Sequence, residues 1–274
     1  GFFSVVRNAQ FSSLENPLVL NDGRWEMDLE TMGKQIDEHD VKVMLFCNPQ
    51  NPTGNCWSPE EMRAMGDLCI SKGVLVISDE IHCDFVNKHA TYTPYATLGE
   101  KYAQSSYTLK STSKSFNLAA QHVAYLFSDN QKMIDDLKKS GHQRGSLNAL
   151  GMIACNAAYK HGATYMDDMQ AYIDGNCHFL EKYCAEEMKD VKYKVHEGTY
   201  LAFIDCTRVA KKLGGPNGEQ RVGDLLQRFF IEKAGVNLNP GENYGKNGAG
   251  YMRMNLATTH KKLHGALNAM KAAI

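Results

Sequence analysis

The sequence predicts an α/β protein: a mainly parallel sheet flanked by helices, followed by a smaller C-terminal α+β domain. Three observations carry this. Short, nearly continuous apolar runs recur at 41–47, 74–77, 107–110 and 124–127, as expected of strands buried on both faces. Helical patterns alternate with these runs, the order that builds a parallel sheet. Beyond residue 190 the pattern shifts to alternation, at 191–195 and 200–205, the mark of half-buried strands.

Each element has its own signal. The run at 41–47 ends at prolines and reads as a strand. Ser58, Pro59 and Glu61 announce a helix, with Ser58 as cap, Pro59 in the first turn and Glu61 closing a capping box. Gly73 supplies a left-handed stop after Lys72. The runs at 74–77, 107–110 and 124–127 are the second, third and fourth strands. Residues 146–188 read as long helix with a break at His161-Gly162. A helix over 222–233, a strand at 236–238, a strand at 251–256 and a closing helix from Thr259 complete the chain. These patterns predict one domain over 1–162 and a bridging helix with a small domain over 163–274. Residues 214–218 and 244–250 are the glycine-rich, flexible-looking stretches.

Bulk properties narrow the function. With 274 residues and 43% hydrophobic content the chain can bury a large core. A net charge of −1, with both signs interspersed, argues against a nucleic-acid partner. The 8 cysteines contain no Cys-x-x-Cys pair, so they read as reduced thiols rather than a metal or redox site. The start of the chain lacks the apolar stretch of a signal peptide, and no window suits a membrane span. The expectation is a cytoplasmic protein with no membrane partner.

Three strings follow predicted strands. Asn48-Pro49-Gln50-Asn51-Pro52-Thr53-Gly54 follows the first and Ser78-Asp79-Glu80-Ile81-His82 the second; Ser111-Thr112-Ser113-Lys114-Ser115-Phe116-Asn117 follows the third. Open sheets of this kind bind ligands beyond the carboxyl ends of their strands. Asn51, Asp79 and Lys114 are therefore expected in one crevice. A lysine among small hydroxyl residues, preceded by a strand-end acid, suits pyridoxal 5'-phosphate (PLP). That cofactor needs a lysine to hold it as a Schiff base and an acid facing its pyridine nitrogen.

These strings, with Glu197-Gly198-Thr199-Tyr200-Leu201 and Arg253-Met254-Asn255-Leu256, resemble the class I/II aminotransferase superfamily of fold-type I PLP enzymes. Asp-Glu-Ile-His with Ser-Lys-Ser-Phe-Asn looks most like its cystathionine β-lyase, or C–S lyase, branch. The resemblance implies that Lys114 is the catalytic lysine and that Asp79 partners the pyridinium nitrogen. It places Asn51 on the cofactor's phenolic oxygen, His82 nearby, and Ser111 and Ser113 on its phosphate. Arg253 would grip the substrate α-carboxylate, with Asn51 beside it. Tyr92, Tyr95, Arg144 and Tyr244 are possible pocket contacts. His122 stands where many aminotransferases carry a phosphate-binding arginine.

The implied activity is cleavage of an amino-acid thioether to a thiol, pyruvate and ammonia. An aminotransferase, or a non-catalytic regulatory member of the fold, are the alternatives. A homodimer is implied as well. Family members carry a segment before the position matching Gly1, with a glycine-rich phosphate loop and an aromatic ring stacked on the pyridine. Neither is found here, so the large domain reads as N-terminally incomplete.

Overall fold

The computed structural model describes residues 2–141, 148–215 and 221–274. The chain opens with α1 (Phe2–Asn8) and a hairpin of β1 (Val19–Asn21) and β2 (Arg24–Glu26). Asp22 and Gly23 turn that hairpin with φ of 47° and 81°, the double left-handed conformation that two-residue loops prefer. Then come α2 (Leu29–His39), β3 (Val43–Cys47), α3 (Pro59–Ser71), β4 (Leu75–Asp79), α4 (Glu100–Ala103), β5 (Ser106–Lys110), α5 (Thr112–Ser115) and β6 (Tyr125–Phe127). Helices α6 (Gln131–Lys139), α7 (Ala149–His161) and α8 (Ala163–Glu187) lead to the last part of the chain. There β7 (Leu201–Asp205), α9 (Thr207–Lys212), α10 (Val222–Ala234), β8 (Asn239–Pro240), β9 (Tyr251–Asn255) and α11 (His260–Ala273) follow.

The central sheet has the order β3-β4-β5-β6, parallel except for antiparallel β6. The predicted α/β class is therefore observed. Register levels the strand ends: Cys47 pairs with Asp79, and Asp79 with Leu109. The three segments that follow thus leave the sheet at one height. Helix α3 begins as its sequence indicates. Ser58 Oγ accepts from the Glu61 N–H at 3.1 Å, and the Glu61 carboxylate accepts from the Ser58 N–H at 2.8 Å. Gly73 ends it with φ 67°.

Two apolar cores form. One packs α2, α3 and the central sheet around Phe46, Trp57, Met62, Met65 and Tyr95. The other packs α8, α10 and α11 onto the antiparallel sheet β7-β9-β8. Helix α8 points Ile173, Cys177, Leu180 and Cys184 into it, a helical spacing. Phe230, wholly buried there, is a good probe. Phe230→Ala is expected to lower the unfolding free energy by about 3–5 kcal/mol, read by chemical denaturation.

Two expected strands do not form. Lys192 exchanges both backbone hydrogen bonds with Asp205, but the Val195 N–H turns to the Glu181 carboxylate at 2.9 Å. The alternating run at 191–195 is therefore a bridge that peels away toward α8. At 236–238 the Val236 N–H bonds back to the Phe230 carbonyl at 3.1 Å, closing α10, so the ladder with β9 starts only at Asn239. The break at Gly162 is present between α7 and α8. All eight cysteines are free thiols. Among the described residues, no helix is long and apolar enough to cross a membrane.

Candidate active site

The turn after β3 is built before it can hold anything. Asn48 is fully buried, donating to the Thr93 carbonyl at 2.9 Å and accepting from the Trp57 N–H at 3.3 Å. The peptide bonds Asn48-Pro49 and Asn51-Pro52 are cis. The Gln50 N–H bonds to the Asn55 carbonyl and the Gly54 N–H to the Gln50 carbonyl, each at 2.7 Å. Gly54 has φ 79°, and a Cβ there would stand 2.6 Å from the His196 side chain. Only glycine meets both demands. The turn presents Asn51, whose Oδ1 accepts from Arg253 Nη1 at 3.1 Å.

Arg253 reaches this point from β9, with its guanidinium carbon 4.7 Å from the centre of the Tyr244 ring. Its Nε is buried without a hydrogen-bond partner. Asp79 sits at the end of β4 and accepts from the Ile81 N–H at 3.1 Å. Burial pushes its carboxyl above the usual range, and the nearby Lys114 charge pulls it back only in part. His82 follows one turn later, 3% exposed, 5.4 Å from the Tyr200 ring. Its Nδ1 is also buried and unpartnered. Burial, then the charges of Lys114 and Arg253, push its pKa down to about 4. Lys114 is exposed on α5, the short helix after β5. Its charge is felt at both Asp79 and His82, while that of Arg253 is felt at His82 and Tyr200. Asn51 and Arg253 are thus in direct contact, and Asp79 and His82 lie within the electrostatic reach of Lys114 beyond the strand ends.

Other expected residues are placed differently. Ser111 is buried: its hydroxyl donates to the Val123 carbonyl at 2.6 Å and accepts from the Ser113 N–H at 3.0 Å. The oxygen thereby caps α5. Ser113 is half-buried. Tyr95 is a core residue between Phe46 and Tyr102 rather than a pocket wall. Tyr92 donates to the buried Glu80, which also accepts from Ser78 Oγ and the Tyr95 N–H. Of the two neighbouring acids, then, Asp79 faces the crevice and Glu80 binds the structure behind it. His122 is exposed, in a left-handed conformation. Arg144 lies outside the described residues.

Tyr200 and the ion pairs of Glu197 were not singled out by sequence reasoning. Tyr200 lies inside a noted string, so an aromatic following Gly-Thr was the available signal. Glu197 pairs with Arg24, 173 positions away, for which the sequence carries no signal.

Buried histidines set an acid limit. His82 and His196 are both held near a pKa of about 4 by burial, while an unfolded histidine titrates near 6.5. Between those values the unfolded chain binds more protons, so stability falls as pH drops below about 6.5 and the loss is complete below about 4. The expected loss is about 3 kcal/mol per histidine. Denaturation midpoints measured from about pH 7.5 down to about pH 4.5 check this, and His196→Gln should flatten the curve.

Comparison with known proteins identifies the family. A model of the family "Aminotransferase class I and II" matches residues 5–270. The chain belongs to the class I and II aminotransferase family. Within it, the chain is 33% identical over 277 residues to cystathionine beta-lyase PatB of Bacillus subtilis (strain 168), covering 100% of this chain and 68% of that protein. It is 29% identical over 280 residues to protein MalY of Escherichia coli (strain K12), covering 99% and 68%. Among solved structures, the PLP-bound C-S lyase from Staphylococcus hominis superposes with a TM-score of 0.91 at 29% identity, over 99% of this chain and 68% of that one. Cystalysin from Treponema denticola, which contains a pyridoxal 5'-phosphate cofactor, gives 0.91 at 26% identity, over 99% and 67%. The family resemblance read from the motifs is borne out, as is the fold it implied.

Proposed function

We propose that this class I and II family member is a PLP-dependent carbon–sulfur β-lyase of the cystathionine β-lyase type. One observation supports the reading: the segments carrying Asn51, Asp79 and Lys114 leave β3, β4 and β5 at one level, and Asn51 accepts a hydrogen bond from Arg253. The similarity to lyases named for this reaction supports it.

The residues suit the cofactor. Asp79 is a half-buried carboxyl without a cationic neighbour strong enough to restore its usual pKa, so a protonated pyridine nitrogen would complete it. The buried His82 Nδ1 and Arg253 Nε have no hydrogen-bond partner, and a polar ligand would supply one. Bound PLP supplies an electron sink for the pair left behind when a bond at Cα breaks. This chain supplies the rest. Lys114 Nζ would hold the cofactor and, when free, would take the proton from Cα. Arg253 grips the α-carboxylate and so orients Cα toward Lys114. Asn51, whose Oδ1 accepts from Arg253, would offer its amide N–H groups to the phenolic oxygen. His82 stays neutral at pH 7 and can donate or accept beside that oxygen. Ser113 and the backbone beside it would hold the phosphate. The thiolate leaves from Cβ, and hydrolysis of the remainder gives pyruvate and ammonia.

The reading places a cofactor domain over 1–162 and a bridging helix with a small domain over 163–274. It takes a homodimer in the cytoplasm, with small amino-acid substrates and neither nucleic acid nor membrane as partner. The test is to supply PLP, cystathionine and an oxo acid together. Pyruvate and ammonia released without amino-group transfer are expected. Transfer of the amino group to the oxo acid would instead assign an aminotransferase. Loaded protein that does neither would overturn both.

A further inference from the structure

Strand β2 touches both bodies of the molecule through two consecutive residues. Neighbours on a strand point to opposite faces. Arg24 faces Glu61 on α3 and Glu197, and Trp25 faces the antiparallel sheet. The Arg24 guanidinium donates to Glu61 at 2.6 and 3.1 Å, and through Nε to Glu197 at 2.9 Å. Glu197 in turn accepts from the Cys56 N–H at 2.7 Å, just past the Asn51 turn. The backbone of the same segment closes the contact. Glu197 and Gly198 both donate to the Gly54 carbonyl, at 3.1 and 2.7 Å, and Thr199 donates to the Phe85 carbonyl at 2.8 Å. A Cβ on Gly198 would stand 2.8 Å from Cys56 Sγ and 2.9 Å from Pro49, so the two segments meet without a gap. On the other face, the Trp25 ring packs 5.4 Å from Tyr251 and 6.1 Å from Phe203. Phe203 is the register partner of Arg253 across β7 and β9. The Trp25 carbonyl also accepts from Asn55 Nδ2 at 2.7 Å.

We propose that Arg24 is a positioning residue for the carboxylate-binding site: through Glu197, and with Trp25 behind it, it fixes the strand pair carrying Arg253 against the turn carrying Asn51. The inference rests on the reading above, in which Arg253 grips the substrate carboxylate. One guanidinium serving two carboxylates needs a planar fork of donors, which lysine lacks. Without it Glu61 and Glu197 face each other as like charges. The register of Arg253 with Asn51 would then loosen, and substrate affinity would suffer before chemistry does.

The experiment compares Arg24→Lys and Arg24→Met with the unaltered chain, PLP-loaded and PLP-free. In both variants amide exchange at Cys56 and Gly198 should quicken about tenfold, with or without PLP. In the loaded protein KM for the amino acid should rise about tenfold while kcat and PLP affinity change less than about threefold, the sign of lost ground-state binding. If Arg24→Met does not fold, Arg24→Lys carries the test, because it keeps the charge and the aliphatic stem. Unchanged exchange overturns the clamp. Quicker exchange with KM within about twofold of the unaltered chain makes Arg24 structural only and overturns the positioning role. An unaltered chain that binds no PLP defeats the earlier reading instead, while the exchange comparison still judges the clamp.

Discussion

Lys114→Ala is expected to lower kcat/KM for a thioether amino acid by about 10⁴-fold or more, since one side chain supplies both attachment of the cofactor and proton transfer. The fold should not notice. Lys114 is exposed, and the short helix that carries it is capped by Ser111 rather than by the lysine. Thermal midpoints of the two proteins without PLP should therefore agree within about 1 °C. Lys110, four residues earlier, cannot take over. Its ammonium lies 3.8 Å from the buried Glu80 and over the Tyr92 ring, which ties it to the structure behind the sheet. A Lys114→Ala protein retaining more than about a hundredth of the activity would remove this residue from the chemistry.

Asp79→Asn is expected to cost about 10²- to 10³-fold in kcat, the usual scale for losing one fixed charge aimed at a developing one. The amide matches the carboxylate in shape but cannot hold a proton on the pyridine nitrogen, so the electron sink weakens. PLP affinity should fall as well. The stability effect should have the opposite sign. In the PLP-free protein burial raises the Asp79 pKa, which means the charged form is disfavoured by the fold. For an acid shifted upward, the contribution to stability is lost as pH rises through the ordinary carboxylate range and stays lost at pH 7. Asp79→Asn removes that burden, so the PLP-free variant should melt at or above the temperature of the unaltered chain. A variant that is both active and less stable would show that Asp79 serves the fold and not the cofactor.

Much of the architecture was legible because its signals are local. Buried parallel strands declare themselves as apolar runs, and the start of α3 is written in Ser58, Pro59 and Glu61. The order of Asn51, Asp79 and Lys114 has a geometric counterpart: level strand ends bring the segments that follow them to one edge of the sheet. The hairpin at 19–26 was also written in the sequence, as an Asp-Gly pair between short strands, but it is too brief to show periodicity. What stayed hidden depended on competition for hydrogen bonds or on distance. The bond from Ser111 to the Val123 carbonyl, twelve residues on, has no local signal. Tyr95, one of four possible pocket contacts, is held in the core by Phe46 and Tyr102, neither of which is its neighbour in sequence. Residues 191–195 alternate as a strand should, but Glu181 on α8 takes the Val195 amide. The clamp of Arg24 on Glu197 joins chain segments 173 positions apart, and no local pattern announces it.

The most direct measurement is to incubate the protein with PLP, reduce it with borohydride, digest it, and locate the fixed pyridoxyl group by mass spectrometry. The expected result is a single labelled peptide with the group on Lys114, absent when Asp79→Asn protein is treated at limiting PLP. Label on Lys110 or scattered over surface lysines, or no label at saturating PLP, would contradict the convergence of Lys114, Asp79, Asn51 and Arg253 on one cofactor.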